Sequence, residues 1–464
     1  MPIPCQRRTF TRTGILDTFC VGPPCGLRPF TDQLGSCEDR TLEITSVRGF
    51  KDILPEEIGK WRFVEETARK IFQDFGYVEI RIPILEKTEL FARGIGEATD
   101  IVEKEMYTFT DRSGTSLTLR PEATASIARA YVENGLYSRE PEAKLFMIGP
   151  MFRYERPQKG RLRQFNQIDV EVFGVADPAV DAEIMAMLIH FLREVGLKRL
   201  ELQVNSLGCR TCRPPYRKSL QDFVLAHERS LCPDCRRRIH TNPLRIFDCK
   251  VEECRTIMAD APLLIDSLGP ECRDHFQAVK SYLEMVGLPY TVNPRMVRGL
   301  DYYVRTAFEV ISYDLGAQNA VTGGGRYDGL ISDLGGPEIP GIGFATGMER
   351  LISLLPPEVE VRKPRRVFVA FAGADSRQSA FRLAHELRVR GLGVDITYGE
   401  KSLKSQMRRA NKLGCKAALI IGGEELKRQK AVVRDMEAKT QEEVDLDLVA
   451  EILTERYGLG KPKG

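Results

Sequence analysis

The first clear hydrophobic pattern in the chain has the period of an α-helix. Over Glu56–Phe75, apolar residues recur every three or four positions and form one stripe: Ile58, Trp61, Val64, Ala68 and Ile71. Such a stripe predicts an amphipathic helix that packs one face against a core. Strand-like runs follow at Tyr107–Thr110 and Ser116–Leu119, and helices and strands mix irregularly up to about Leu355.

A strand-period pattern marks two runs, Lys144–Tyr154 and Gln164–Phe173, which are joined by the basic loop Arg156–Arg163. Side chains alternate across a strand, so the second run has two unlike faces. One face is apolar and the other polar: Ile168, Val170 and Val172 against Gln167, Asp169 and Glu171. A polar face beside a basic loop suits a substrate that carries both a cation and phosphates. A solvent-facing hairpin with ordinary charges is the alternative.

The pattern changes after Pro356–Arg366, a proline-containing stretch that is predicted to be a linker. Strands and helices alternate beyond it: strands Val367–Phe371, Val394–Tyr398 and Lys416–Ile421, and helices Ser376–Arg390, Ser402–Leu413 and Val449–Tyr457. Regular alternation of this kind predicts a small α/β domain over 367–464.

Composition sets limits on the class of protein. A chain of 464 residues is long enough for roughly two to four domains. With 42% hydrophobic and 29% charged residues it can form a core, and a net charge of +3 excludes a polycation while allowing a local basic site. No 18-residue apolar run predicts a membrane span, and residues 1–20 lack the apolar region of a signal peptide. We therefore expect a cytoplasmic protein without a membrane partner.

Residues 1–45 have no clear hydrophobic period and are predicted to be a disordered or loosely attached extension. A transit peptide and a mis-set start codon are both open explanations for it.

Cysteines cluster in an Arg-rich block at about 205–260. Two Cys-x-x-Cys pairs, Cys209/Cys212 and Cys232/Cys235, are separated by 19 residues, a spacing that fits a four-cysteine zinc site. Reduced thiols that bind no metal are the alternative.

Three further segments carry candidate chemistry: Arg298–Glu309, Gly323–Gly329 and Gly341–Leu351. In the first, Arg298 before Gly299 is expected at a strand start near an anion, with Tyr302 and Tyr303 pointing to opposite faces of that strand. In the last, a short strand is predicted to lead into a helix whose first turns carry Arg350. Because the helix dipole does not favour a cation there, an anionic ligand is expected nearby, unless Glu349 pairs with Arg350 on the surface.

Together these segments resemble the histidyl-tRNA synthetase family of class II aminoacyl-tRNA synthetases. The class motifs correspond to three stretches: about Tyr77–Phe91 for motif 1, Phe152–Glu171 for motif 2 and Gly341–Leu351 for motif 3. The family's two histidine motifs correspond to Arg-Gly-Leu-Asp-Tyr-Tyr at 298–303 and Gly-Gly-Arg-Tyr-Asp at 324–328. The run Leu119–Thr124 also matches, with Ala123 where many members have glycine. The resemblance implies an α+β fold, with an antiparallel-sheet catalytic domain over 46–355 that has an insertion at 205–260, followed by an anticodon-binding domain over 367–464.

The resemblance implies a set of histidine-binding residues: Glu122, Thr124 and Gln167 for the α-amino group, and Glu171, Tyr303 and Tyr302 for the imidazole. It also implies a set of ATP-binding residues: Arg153 for the α-phosphate, Glu155 and Phe165 for adenine, and Arg161 and Arg350 for the outer phosphates. Arg153 and Arg298 are the implied catalytic cations, and Mg²⁺ is expected to bind with ATP.

The implied reaction joins histidine to the 3′ end of tRNA(His) through histidyl-adenylate. A basic stretch of the C-terminal domain supplies the expected phosphate contacts for tRNA: Lys401, Lys404, Arg408, Arg409 and Lys412. Spacings of three and four place most of these on one face of the predicted helix, although a merely solvated face is the alternative. The family also implies a homodimer. A non-catalytic regulatory or tRNA-sensing subunit is the alternative function.

Overall fold

The computed structural model describes residues 44–96, 99, 101–158, 160–300, 302–314, 320–357, 359 and 366–458. The chain divides into two units, 1–46 and 47–464, and the helices and strands assigned in the described residues all belong to the second. The prediction for the extension 1–45 therefore falls almost wholly outside the described residues. Within the described residues, no helix is both long enough and apolar enough to cross a membrane.

Strands of the described residues are numbered in chain order: β1 (Val78–Glu79), β2 (Leu85–Lys87), β3 (Tyr107–Thr110), β4 (Ser116–Leu119), β5 (Ala143–Phe152), β6 (Gln164–Phe173), β7 (Leu200–Ser206), β8 (Thr291–Val292), β9 (Val304–Ser312), β10 (Ala320–Arg326), β11 (Gly341–Gly347), β12 (Arg366–Phe371), β13 (Gly393–Ile396), β14 (Ala417–Ile421), β15 (Lys430–Asp435) and β16 (Gln441–Asp445).

The α-helices are numbered in the same way: α1 (Ile58–Asp74), α2 (Thr88–Ile95), α3 (Thr124–Glu133), α4 (Pro178–Glu194), α5 (Arg213–Ala226), α6 (Pro233–Thr241), α7 (Glu252–Met258), α8 (Pro270–Met285), α9 (Leu330–Asp333), α10 (Met348–Ser353), α11 (Ala374–Val389), α12 (Leu403–Lys412), α13 (Gly423–Lys427) and α14 (Val449–Tyr457).

An eight-stranded sheet with the order β1-β5-β6-β11-β10-β9-β7-β8 forms the centre of the larger region. Its neighbours run antiparallel except for the outer pairs β1–β5 and β7–β8, which are parallel. A separate three-stranded antiparallel sheet, β2-β4-β3, lies in the same region. A mainly antiparallel sheet with helices packed on it confirms the predicted α+β class.

Helices cover one face of the central sheet. The predicted stripe of α1 is buried from Trp61 to Ile71, and it shares a hydrophobic cluster with α4, α8 and the apolar face of β6. Ile168, Val170 and Val172 belong to that cluster, as the alternation of β6 predicts. Gln167 and its polar neighbours on β6 must therefore face the other side of the sheet.

The Cys-rich block is helical, and it is less separate than its composition suggests. Tyr216 and Leu220 of α5 and Ile239 of α6 belong to the same hydrophobic cluster as Tyr303 and Tyr327, which lie beside the polar face of the sheet. The block is therefore packed against the region that holds the candidate site.

The C-terminal region forms a five-stranded sheet with the order β13-β12-β14-β15-β16. The first three strands are parallel and have helices α11 and α12 between them in the chain, as the predicted α/β alternation requires. The last two strands are antiparallel, and neither was predicted. The exposed edge strand β16 has only Val444 buried, so it lacks a clear hydrophobic pattern.

Candidate active site

Three carboxylates and one amide meet on the face of the sheet that α4 and α8 leave uncovered. Gln167, Asp169 and Glu171 come from β6, and Glu122 comes from the loop before α3. All four side chains are buried, so the solvent-facing hairpin considered as the alternative is wrong. Gly343 lies opposite Glu171 in the neighbouring strand β11, and its lack of a side chain leaves room for that carboxylate.

Hydrogen bonds fix two of these carboxylates. Glu122 accepts from the backbone N–H groups of Thr124 and Ala125, both at 2.9 Å, at the first turn of α3. The hydroxyl of Thr124 donates to Glu171 Oε1 at 2.6 Å, and the hydroxyl of Tyr327 donates to Glu171 Oε2. Glu171 is therefore held from both sides of its carboxylate.

Burial controls the charge state of this group. It raises the pKa of Glu122, and it raises the pKa of Asp169 and of Glu171 well above their ordinary values. The charge of Glu122 raises the pKa of Asp169 further, while Arg120 and Arg153 act in the opposite direction. A cation bound among these acids would relieve both the burial penalty and their mutual repulsion.

Three buried acceptor atoms have no hydrogen-bond partner within the described residues: both carboxylate oxygens of Asp169 and Oε1 of Gln167. An unpaired buried acceptor is costly, so such atoms at a site commonly await a donor from a ligand. An ammonium group supplies three donors and a compensating positive charge. The polar face of β6 is therefore suited to a small amine.

The two adjacent tyrosines do not point to opposite faces of a strand, and that prediction is wrong. Strand β9 begins only at Val304, so Tyr302 and Tyr303 lie in the preceding segment and are free of strand alternation. Their ring centroids are 4.7 Å apart, and both rings also contact that of Tyr327. All three rings are thus grouped beside Glu171.

Arg298 also lies ahead of β9 and not at its start, which corrects the predicted position. Its guanidinium is 5.4 Å from the ring centroid of Tyr303, and Nη1 is 3.4 Å from Glu309 Oε1. A Cβ at Gly323 would stand 2.2 Å from Nη1 of Arg298, so only glycine admits the arginine in this position. The position of Arg298 is thus set by the ring of Tyr303, the carboxylate of Glu309 and the space that Gly323 leaves open.

A cavity of about 400 Å³ brings together all five residues that were predicted to bind ATP: Arg153, Glu155, Arg161, Phe165 and Arg350. Arg153 follows β5 and stacks on Phe165 of β6, with 5.4 Å from the guanidinium carbon to the ring centroid. Arg161 pairs with Glu155 at 3.1 Å across the loop that joins β5 to β6. With Arg245 also in its lining, the cavity combines an aromatic surface with four guanidinium groups.

Arg350 lies in the first turn of α10, as predicted, but its suggested pairing with Glu349 is wrong. Glu349 instead accepts from the backbone N–H of Asn166 at 2.9 Å and from its side chain at 3.2 Å. Burial lowers the pKa of Arg350, and the nearby charge of Arg161 lowers it further. Two cations that repel each other in one cavity favour binding of a polyanion.

Sequence reasoning missed several residues of the site. Tyr327 and Asp169 lay within motifs that had been singled out, but only the folded geometry shows that Tyr327 contacts Glu171 and that Asp169 is buried without a partner. Glu309 also lay within such a segment, but its pairing with Arg298 was not predicted, and Arg245 gave no usable signal. Arg245 comes from the Cys-rich block and reaches the cavity wall, where its Nη1 donates to the carbonyl oxygen of Gly299 at 3.1 Å.

A fully buried ion pair supports the turn after β10. Arg326 Nε donates to Asp181 Oδ1 at 2.8 Å, and its other nitrogens bond the carbonyl oxygens of Val175 and Asp177. This network ties the glycine-rich segment to the start of α4. The next residue, Tyr327, is thereby held where it can contact Glu171.

The predicted tRNA-binding cations are exposed, but they do not all share a helix. Ser402 caps the N-terminus of α12 by accepting from the Ser405 N–H at 3.3 Å, so Lys401 lies outside the helix and that part of the prediction is wrong. The remaining cations lie on α12, where the described residues provide them with no ion-pair partner: Lys404, Arg408, Arg409 and Lys412.

The cysteines of the two Cys-x-x-Cys pairs do not form one site, so the grouping predicted from their spacing is wrong. Cys232 and Cys235 lie together with Cys249 and Cys254, whereas Cys209 and Cys212 lie with Cys272. Sequence spacing does not reveal this division, because the additional cysteines of each cluster come from later segments of the chain.

A mainly antiparallel sheet with a cationic cavity and a buried polar face, followed by a small α/β domain, defines a class II aminoacyl-tRNA synthetase. A family model described as histidyl-tRNA synthetase matches residues 49–209 and 220–351, and one described as an anticodon binding domain matches residues 366–456. The chain belongs to the histidyl-tRNA synthetase family.

Individual relatives are similar over nearly their whole length. The histidine–tRNA ligase of Geobacter metallireducens is 54% identical over 407 residues, which cover 88% of this chain and 98% of the relative. That of Geobacter sulfurreducens is 55% identical over 403 residues, covering 87% and 97%. A crystal structure of apo S. aureus histidyl-tRNA synthetase superposes with a TM-score of 0.75 at 37% identity, covering 88% of this chain and 99% of that one.

Proposed function

We propose that this chain is a histidine–tRNA ligase. It activates histidine with ATP to give histidyl-adenylate and pyrophosphate, and then transfers the histidyl group to the 3′ end of tRNA(His). The observation that carries the proposal is the set of unpaired buried acceptors on Asp169 and Gln167, which lies beside a carboxylate, Glu171, that two hydroxyls hold in place. A substrate with an ammonium group and a second basic group suits this arrangement.

Histidine recognition is assigned to the polar face of β6 and its surroundings. Glu122, Thr124 and Gln167 are proposed to bind the α-amino group, and Asp169 adds a charge that attracts it. Glu171 and Tyr303 are proposed to bind the imidazole, with Tyr302 nearby. A site built to satisfy both ring nitrogens rejects amino acids that lack them, because its own buried polar atoms would stay unpaired.

The orientation of Glu171 depends on its neighbours. Thr124 and Tyr327 both donate to its carboxylate, so their hydroxyl protons fix which oxygen lone pairs remain for the imidazole N–H. Tyr327 therefore acts as a positioning residue for Glu171. This contact refines the assignment of the imidazole to Glu171 and Tyr303.

The cationic cavity is assigned to ATP. Arg153 is proposed to hold the α-phosphate, Arg161 and Arg350 the outer phosphates, and Phe165 and Glu155 the adenine. The histidine carboxylate attacks the α-phosphorus and pyrophosphate leaves, so negative charge develops at the α-phosphate. Preorganised cations stabilise such charge, and Arg298 is assigned to it together with Arg153.

Mg²⁺ is proposed to accompany ATP and, when bound, to neutralise charge on the phosphates. Carboxylate oxygens of the type that Mg²⁺ prefers are available at the cavity wall, on Glu155 and Glu349. Four arginines also line the cavity, so the metal would add to their effect on the leaving pyrophosphate.

The remaining assignments concern the whole molecule. We propose a catalytic domain over 46–355, a linker over 356–366 and an anticodon-binding domain over 367–464 that contacts tRNA through Lys401 and the α12 cations. A homodimer and a cytoplasmic location are proposed from the family and from its tRNA substrate. These assignments rest on the family match and on the exposure of the α12 cations.

A non-catalytic regulatory or tRNA-sensing subunit is not favoured. Proteins of that kind tend to lose the Arg-Gly-Leu-Asp-Tyr-Tyr motif or the anticodon domain, and this chain keeps both. Arg298 and its partner Glu309 are also present.

The test is ATP–pyrophosphate exchange with the purified full chain, measured with histidine, with glutamine and without an amino acid. We expect exchange that requires histidine, since glutamine lacks the imidazole ring whose two nitrogens the site is proposed to bind. Exchange that is absent from a folded protein able to bind tRNA would instead support the regulatory function.

A further inference from the structure

Four thiols of the Cys-rich block converge on one point. The sulfur atoms of Cys232, Cys235, Cys249 and Cys254 all lie within 4.8 Å of one another, and those of Cys232 and Cys249 are 3.8 Å apart. Thiolates bound tetrahedrally to zinc at about 2.3 Å are separated by about 3.8 Å. The four sulfur atoms are therefore already close to the spacing that such an ion requires.

Local structure explains how four separate positions reach this point. Cys232 directly precedes α6 and Cys235 lies in its first turn, so both cysteines lie at the N-terminal end of this helix. Cys249 follows the 3₁₀ segment Pro243–Asp248, and Cys254 lies in α7. The N–H of Cys232 donates to the sulfur of Cys254 at 3.3 Å, which links the first and last of these segments.

The helices α6 and α7, which carry or directly follow three of these four cysteines, are short. Helix α6 has nine residues and α7 has seven, lengths at which an isolated helix is marginal. Small substructures of this kind are commonly held by disulfides or metals. Ordinary burial explains Cys235 and Cys254, but Cys232 and Cys249 are partly exposed and still turn their sulfur atoms toward the same point.

We propose that Cys232, Cys235, Cys249 and Cys254 bind one structural zinc ion. Each thiol releases its proton to solvent as it binds, and the resulting doubly negative centre lies in a block that has eleven Lys and Arg against seven Asp and Glu over 205–260. Four protein ligands leave no position for substrate, so the ion is structural and not catalytic.

The second cluster is not assigned an ion. Cys209, Cys212 and Cys272 bring together three thiols, whereas closed structural zinc sites take four protein ligands. A substitution in this three-cysteine cluster therefore serves as a control for a substitution in the four-cysteine cluster.

The proposed ion lies next to a residue of the ATP cavity. Arg245 belongs to the 3₁₀ segment that ends just before Cys249, and Arg245 lines the cavity wall. Zinc would hold this segment in place from its C-terminal end. Loss of the ion is therefore expected to make the position of Arg245 less fixed. The zinc proposal does not depend on the function assigned to the chain.

The test measures zinc in the full chain, purified from zinc-supplemented medium without chelators, by elemental mass spectrometry. We expect Cys249→Ser to lose about one zinc ion per chain relative to the unmodified protein, since a closed four-ligand site is broken. Cys209→Ser and Cys415→Ser, which alter the second cluster and an isolated buried cysteine, should each leave the zinc content unchanged.

A zinc-free unmodified protein, or equal zinc content with and without Cys249→Ser, would overturn the proposal. Should the variant fail to fold, Co²⁺ added to metal-depleted unmodified protein decides the question. Intense thiolate-to-cobalt absorption with tetrahedral d–d bands supports the site, and an octahedral spectrum contradicts it.

Discussion

Gly343 and Glu171 face each other across strands β11 and β6, and a Cβ at Gly343 would stand 1.8 Å from Oε2 of Glu171. The same Cβ would stand 2.5 Å from the carbonyl oxygen of Val170, which belongs to the sheet backbone. The first contact cannot be relieved by a small rotation alone, because Glu171 is already held by Thr124 and Tyr327, and the second would require the strand backbone to move. A glycine of motif 3 thus determines where a carboxylate of motif 2 can lie.

Gly343→Ala should weaken histidine binding more than ATP binding. The added methyl group displaces the Glu171 carboxylate, and the loss of a hydrogen bond to a charged group costs about 1.5–3 kcal/mol, which corresponds to on the order of 10- to 10²-fold in binding. We expect the KM for histidine in pyrophosphate exchange to rise on that order, while the KM for ATP changes little. Gly423→Ala is the matched control, because a Cβ at Gly423 meets nothing within 4 Å. Equal changes in both KM values would contradict the separation of the two subsites.

Arg298→Ala should slow adenylate formation while leaving the fold intact. Removing one preorganised cation from a site of developing charge costs on the order of 10²–10³ in kcat. The exchange rate checks this, with Arg377→Ala on the exposed face of α11 as a control. Unchanged exchange in Arg298→Ala would exclude this arginine from the mechanism.

His275 should make the protein sensitive to mild acid. This buried histidine lies with its Nε2 3.7 Å from Asp181, and burial, followed by the charges of Arg326 and Arg305, lowers its pKa to about 4, against a weaker opposing effect of Asp177. The native state therefore binds fewer protons than the unfolded state between the unfolded pKa of 6.5 and about 4. Stability from this group is complete above 6.5 and is lost as the pH falls through that window.

The measurement for His275 is urea unfolding at about pH 7 and about pH 5. Replacing it by Gln should reduce the loss of unfolding free energy between the two pH values, by on the order of 2 kcal/mol at most. His385→Gln, an exposed substitution on α11, should leave the loss as it is in the unmodified protein. An identical pH dependence in all three proteins would show that His275 does not titrate differently on unfolding.

The parts of the fold that the sequence predicted well are those where packing follows a simple period. Strand Gln164–Phe173 and helix Val449–Tyr457 have the predicted bounds, because each has one apolar face whose residues recur with a regular period. The edge strand β16 has only Val444 buried, so its pattern carried no such signal. Tyr302 was misplaced because a strand was assumed to begin before β9 does.

Contacts between distant segments could not be predicted in the same way. Cys249 lies beside Cys232 and Cys235, whereas Cys272 lies beside Cys209 and Cys212. The local spacing of the cysteines in the sequence does not reveal this division. The contact of Tyr327 with Glu171 joins positions 156 residues apart in the chain. The ATP residues were better predicted, since Arg153 to Phe165 form a single hairpin whose loop brings them together.

Helix α12 allows the proposed division of labour between the two domains to be tested. Lys404 and Arg408 are exposed, and the described part of the chain offers them no ion-pair partner, so their charges are available to phosphates. Reversing both to Glu should weaken tRNA binding and make it less dependent on salt. Each lost phosphate contact reduces the slope of log binding constant against log salt concentration by close to one unit. Pyrophosphate exchange should be unaffected, since the cavity residues precede the linker at 356–366.

The matched control reverses two cations that already have partners in the same domain: Lys427 and Lys430, which lie 2.8 Å from Glu424 and Asp445. We expect tRNA charging at two salt concentrations to distinguish this control from the α12 variant, because only the latter loses charges that are open to phosphate.

A fall in both charging and exchange for the α12 variant would mean that the C-terminal domain supports the catalytic fold directly. A fall in neither would show that these cations form a solvated face, and that tRNA binds elsewhere, for which the exposed arginines Arg236 and Arg237 of α6 are the next surface to alter.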